Sequence, residues 1–211
     1  MKNPPPILTV HGLWNRGPEA WLLRRRLKRL TGRPVLQFRY PSVARGFSRN
    51  AERLASSIEQ GPGPVDLVGH SLGGLLVMEA IRRVGAGAVR RVVLLAAPVR
   101  GSASARRLIS LSPGGRHAVG ESAEALVRGV DLSVPPGVEV GMIAGSGAMG
   151  MGRLLGAMHG VHDGTVELEE TRFDGLTDHL LLPVTHTGML FSDQVAEAVA
   201  DFLRDGRFRH R

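Results

Sequence analysis

Within the stretch Gly69-His70-Ser71-Leu72-Gly73-Gly74, one serine is framed by glycines at the point where the apolar pattern of the chain changes period. Residues 65–68 form a short β-branched and apolar run suited to a buried strand, whereas Leu75, Leu76, Met78 and Ile81 recur at helical spacing. A strand that turns straight into a helix needs a cramped corner, and glycines remove the Cβ atoms that would clash there. Such a corner pushes Ser71 into the open, and the spacing is that of a nucleophile elbow, G-x-S-x-G. The competing reading is a serine that caps a helix starting near Leu72. The strand before, the helix after and the extra Gly74 favour the nucleophile. A serine hydroxyl is a weak nucleophile, so a base must take its proton, and a carboxylate must orient that base and stabilise the imidazolium. Eight histidines compete for the first role.

The elements that must position these groups follow from the apolar periodicity. Residues 7–10 read as a first strand ending at His11-Gly12-Leu13-Trp14, and 18–30 as an amphipathic, arginine-faced helix closed by Gly32 and Pro34. Residues 35–40 are a second strand, 48–58 a helix stopped by Gly61-Pro62-Gly63-Pro64, and 65–68 the strand of the elbow. Residues 89–97 are apolar on both faces, as a central parallel strand should be. Strands at 138–144 and 179–184 and a last helix from about 188 to 204 complete the pattern. Strands alternating with helices predict an α/β fold with a mostly parallel sheet of about six strands and helices on both faces. The segment 101–136 breaks the alternation, carries at most one or two short helices near 105–111 and 121–130, and is expected to form a small cap over the carboxyl end of the sheet, with an inert surface excursion as the alternative. The segment 145–160, rich in glycine and methionine, is expected to form a pliant wall of an acyl pocket with Met149 and Met151 in it, with methionines that simply fill gaps in the core as the alternative.

Composition narrows the class. A chain of 211 residues, 43% hydrophobic, is long enough for one well-buried core, and a single domain over 1–211 is the expectation. No apolar run approaches the roughly 20 residues of a membrane span, nor the h-region of a secretory signal, so a cytoplasmic protein without a transmembrane segment is expected. The absence of cysteine excludes disulfides, thiol catalysis and thiolate metal sites. The net charge of +8 comes mostly from arginines scattered in short groups, with one tyrosine and two tryptophans available for base stacking. That pattern predicts a solvated basic surface, not a nucleic-acid partner. Glu167, Glu169 and Glu170 likewise read as a solvated acidic face.

The motifs His11-Gly12-Leu13-Trp14, Gly69 to Gly74, His162-Asp163-Gly164-Thr165-Val166 and Thr185-His186-Thr187-Gly188-Met189-Leu190 occur in this order across nearly the whole chain. In this the sequence resembles small bacterial α/β-hydrolase-fold lipases and esterases, including the lipase-like group related to GPI-inositol deacylases and lecithin-cholesterol acyltransferases. The resemblance implies the chain order serine, acid, histidine, which removes His11 and His70 as the base. His186, just after the last strand, is the best placed. His159 and His162 share the loop of the acid, His179 starts a strand, His117 lies in the insertion and His210 in the tail. Asp163 follows the fifth strand on a turn that Gly164 relaxes, with Asp174 and Asp178 as rivals. The resemblance also places two oxyanion-hole amides at Leu13 and Leu72. Trp14 is expected to line the acyl pocket, with a core role as its alternative.

These readings converge on a serine hydrolase that cleaves carboxylic esters through an acyl-serine intermediate, without a metal or an organic cofactor. The expected partner is a small-molecule acyl ester or thioester. Acyl length and oligomeric state stay open. A thioesterase or acyltransferase using the same serine, and a hydrolase-fold binding protein with an unproductive triad, are the alternatives.

Overall fold

The computed structural model describes residues 4–14, 18–111, 114–149, 156 and 158–210. Six strands lie in one sheet in the order β2-β1-β3-β4-β5-β6: β1 (Ile7–Val10), β2 (Val35–Phe38), β3 (Val65–His70), β4 (Val89–Leu95), β5 (Glu139–Gly145) and β6 (Asp178–Leu182). Every neighbouring pair runs parallel. The six-stranded α/β sheet matches the sequence expectation, strand by strand, to within a few residues. The chain steps outward from β1 to β2, then returns to the other side of β1 with β3. Loops leaving the carboxyl ends of β1 and β3 therefore diverge, which is where open parallel sheets form a crevice.

Helices cover both faces. Helices α2 (Phe47–Glu59) and α3 (Leu72–Ile81) pack on one side, and α1 (Trp21–Thr31) against the last helix α7 (Asp193–Asp205) on the other. Along α3 every residue but Glu79 is buried, because this helix is wedged between the sheet and α2. Its sequence is accordingly apolar all round. Helices α1 and α7 bury one stripe each, and both end on a left-handed glycine, Gly32 (φ 66°) and Gly206 (φ 75°). The sequence signalled the Gly32 stop; the last helix, expected from about 188, starts only at Asp193, because a separate 3-10 turn occupies Gly188–Phe191.

The segment between β4 and β5 departs from expectation. Its described residues hold three helices, α4 (Ala103–Leu111), the short α5 (Gly115–Val119) and α6 (Ala123–Arg128), the last preceded by a 3-10 turn at Gly120–Ser122. A five-residue helix anchored by the buried Val119 is too short to reveal a helical period. The two feet of the segment are clamped together: Ser102 N donates to Leu126 O at 2.7 Å and Val130 N to Val99 O at 3.1 Å. At the feet, Gly101 (φ +93°) and Gly129 (φ +83°) hold a conformation that L side chains rarely adopt, and a Cβ on either would come within 2.4 Å of a carbonyl oxygen.

Arginine is not confined to the solvent. Arg33 is buried, and its guanidinium pairs with the fully buried Asp66, which Arg90 also reaches. Arg91 pairs with Glu139. Among the described residues no helix is long and apolar enough to cross a membrane.

Candidate active site

The corner between β3 and α3 is strained at one residue. Ser71 has φ 54° and ψ −124°, an unusual conformation for a residue with a side chain and one that surrounding structure must enforce. Enforcement comes from close approach: a Cβ on Gly69 would lie 2.7 Å from the Gly74 Cα, and one on Gly73 only 2.4 Å from the carbonyl oxygens of Val10 and His11. Helix α3 can thus start directly against the end of β1. Ser71 occupies the N-cap position, yet its side chain makes no capping hydrogen bond. The capping reading of this serine therefore fails, and the hydroxyl faces a cavity of about 420 Å³ that His186 also lines.

His186 sits after β6. Its backbone N–H donates to Asp163 O at 2.9 Å, and its ring Nδ1 lies 2.7 Å from Asp163 Oδ2. Asp163 is completely buried, and its other oxygen accepts from Thr165 N at 2.9 Å and Val166 N at 2.7 Å. Burial pushes this carboxyl up, but the facing His186 and the two backbone donors outweigh it and hold it below the ordinary value. An ionised carboxylate only accepts, so His186 Nδ1 carries the proton and Nε2 is left as the basic nitrogen. The loops of Asp163 and His186 meet over Gly145 at the end of β5, where a Cβ would strike Val184 O at 2.4 Å and Asp163 Cβ at 2.8 Å.

The β1 loop closes the other side. Gly12 lies so near Ser71 that a Cβ on it would be 3.1 Å from Ser71 Cβ. His11 Nδ1 is 3.0 Å from Gly12 O, its ring stacks on Tyr40 at 4.4 Å, and the Tyr40 hydroxyl donates to His11 O at 2.8 Å. A trans peptide directs its N–H opposite to its C=O, so a Gly12 carbonyl turned toward the His11 ring sends the Leu13 N–H away from that ring. Leu72 begins α3, where the N–H has no intrahelical acceptor. Trp14 follows with φ 59°, its N–H donating to Ser42 Oγ at 3.1 Å, and its side chain lines the cavity half-exposed.

Leu13, Trp14 and Met149 all line the same cavity as Ser71 and His186. Met151 lies outside the described residues, as does much of the glycine and methionine segment around it. The cap supplies Leu108 from α4, Val119 from α5 and Leu126 from α6. Among the described lining residues none is Asp, Glu, Lys or Arg. The rival groups are engaged elsewhere: His162 accepts from Gly164 N, His179 meets Thr171, and Asp178 holds Phe208 N and His210.

Sequence reasoning missed several supports. Glu170 is buried, not part of a solvated face: one carboxylate oxygen accepts from Ala103 N at the start of α4 and the other from Glu167 N. Ser104 Oγ donates to Thr165 O, so α4 is tied twice to the loop that carries Asp163. Only the spacing of Glu167 and Glu170, a capping box, hinted at it.

Residues 7–205 match the Alpha/beta hydrolase family. The chain belongs to that family. Among solved structures it is similar to the Bacillus licheniformis lipase BlEst2 in propeptide form, with a TM-score of 0.81 at 18% identity over 98% of this chain and 52% of that one. The mature form of the same lipase gives 0.73 at 19% identity, over 97% and 92%. Phospholipase PlaB from Legionella pneumophila gives 0.75 at 14% identity, over 94% and 60%. The chain thus spans about half of the first of these and most of the second. At such identities the likeness is one of fold. No curated protein matches the chain.

Proposed function

We propose that this hydrolase-family chain cleaves carboxylic esters through an acyl-Ser71 intermediate, with His186 as base and Asp163 as its orienting carboxylate. One observation carries the reading: a strained, uncapped Ser71 shares a cavity wall with a histidine whose far nitrogen is held by a buried carboxylate. In this mechanism His186 Nε2 removes the Ser71 proton as the hydroxyl attacks the acyl carbon, and Asp163 stabilises the imidazolium that forms. The amides of Leu13 and Leu72 receive the negative charge of the tetrahedral intermediate, a pair in which loss of one donor typically costs about 3 kcal/mol. His186 then returns the proton to the leaving alcohol, and water, activated by the same ring, frees the acid. No step calls for a metal or an organic cofactor.

The cap helices and Trp14 present an apolar wall without formal charge, which suits a neutral acyl group. A cavity of about 420 Å³, under a segment with clamped feet, favours short or medium acyl esters over emulsified long-chain triglycerides. The solved lipase and phospholipase folds agree with ester chemistry. The narrower kinship to GPI-inositol deacylases and lecithin-cholesterol acyltransferases rests on the four sequence motifs alone.

A fluorophosphonate probe with a panel of p-nitrophenyl esters tests the reading. Wild type is expected to label and turn over, while Ser71→Ala folds normally, does not label and loses at least about a thousandfold in turnover. Labelling without hydrolysis, with acyl transfer to an added alcohol or thiol, would point to the acyltransferase alternative. A wild-type chain that neither labels nor hydrolyses is a binding protein.

A further inference from the structure

We propose that His70 is a positioning residue for the base: its ring ties the end of the nucleophile strand to the loop of His186 and so sets how the imidazole meets Ser71. The inference rests on the reading of Ser71 and His186 given above. His70 is the last residue of β3 and precedes Ser71, so its backbone moves with the nucleophile. Its side chain belongs to the other partner. His70 Nε2 lies 3.0 Å from the carbonyl oxygen of His186, 116 residues later, and the two rings approach to 4.8 Å between centroids. This is a direct tie between the carboxyl end of β3 and the base loop.

The chemistry of that contact is one-sided. A carbonyl oxygen only accepts, so His70 Nε2 must carry a proton. The ring is 6% exposed, and burial, helped by the charge His186 would carry, pushes its pKa down to about 3. A neutral ring with its proton on Nε2 has a bare Nδ1, and that atom is buried without a hydrogen-bond partner among the described residues. It faces Gly12, where a Cβ would lie 3.2 Å away. The titratable groups around the ring are His186 on the base loop, Asp163 on the acid loop and His11 at the end of β1. A cation at this place would stand beside the imidazolium formed during catalysis and oppose it. The position thus calls for a donor that stays neutral.

The test compares His70→Leu, which fills the space without a donor, with His70→Gln, which keeps an N–H and cannot titrate. The Leu variant is expected to lose about ten- to a hundredfold in kcat with KM within about threefold, and the Gln variant to recover most of it. In NMR spectra the downfield proton on His186 Nδ1 is expected in wild type and the Gln variant, and broadened by exchange in the Leu variant. A Leu variant with wild-type kcat, or a folded Gln variant as slow as the Leu variant, overturns the proposal. If the Leu variant does not fold, the Gln variant decides: a retained Nδ1 resonance supports the role and a lost one removes it. Failure of the parent reading looks different, since wild type would then not label with fluorophosphonate, while an Nδ1 resonance unchanged in the Leu variant would still count against His70.

Discussion

Two aspartates, Asp66 and Asp163, are equally and completely buried, yet they stand at opposite ends of the sheet and keep different company. Asp66 pairs with Ile7 in register at the amino end of β3 and is held by the guanidiniums of Arg33 and Arg90 and by the N–H of Arg91 at 3.1 Å. Asp163 lies beyond the carboxyl end of β5 and is held by two backbone N–H groups and the ring of His186. Guanidinium does not give up its proton under ordinary conditions, so the Asp66 cluster can only hold charge in place. Imidazole can exchange its proton near neutrality. Burial alone therefore does not mark a catalytic carboxylate. The two aspartates differ in whether the partner can take and return a proton and in whether the carboxylate stands at the end of the sheet where loops diverge.

The comparison is sharpest in mutants. Asp163→Asn is expected to fold and to lose about four orders of magnitude in kcat on p-nitrophenyl esters, because the ring of His186 is then held in the wrong tautomer. Asp174→Asn and Asp178→Asn, measured alongside, should stay within about tenfold, since Asp174 is exposed and Asp178 anchors the C-terminal tail at the amino end of β6. A collapse of either with an active Asp163→Asn would reassign the acid. Asp66→Asn should show the reverse pattern, a loss of about 3–5 kcal/mol in urea unfolding with kcat per folded molecule unchanged, because two guanidiniums lose the charge that compensates them. A stable but inactive Asp66→Asn variant would erase the distinction.

The smallest expected effect is the dependence of stability on pH. Burial lowers the folded-state pKa of His70 from 6.5 to about 3, so between these values the unfolded chain binds a proton that the folded chain does not. Its contribution is complete above pH 6.5 and is lost as pH falls, at about 1.4 kcal/mol per pH unit. His11 and His179, also lowered by burial, act in the same direction. Asp163, held below its ordinary 3.8, adds its loss only in more acidic solution. Urea midpoints between pH 6.5 and 4.5 should therefore fall less steeply for His70→Gln than for wild type, and parallel slopes would show that the ring is not kept neutral by the fold.

Much of the architecture was legible because strong local signals agree. Strand β1 is four buried residues of which Ile7, Leu8 and Val10 are apolar, the first helix carries its glycine stop, and the elbow glycines announce a corner. The cap was legible only as an interruption. Its helices are short, and α4 is tied to the loop of Asp163 by residues 61 and 67 positions apart, so its extent and its anchoring left little local trace.

The sequence alone singled out residues whose types suit the proposed chemistry: a serine in a glycine frame, a histidine after the last strand, an aspartate on a glycine turn. Those choices are local, set by backbone freedom and side-chain type over a few positions. Tertiary structure alone decided which of the eight histidines are buried, which glutamate of an acidic run caps a helix from the inside, and which of two buried aspartates faces an imidazole. Each of these depends on desolvation and on partners brought together from distant parts of the chain, and neither quantity is written in the spacing of residues.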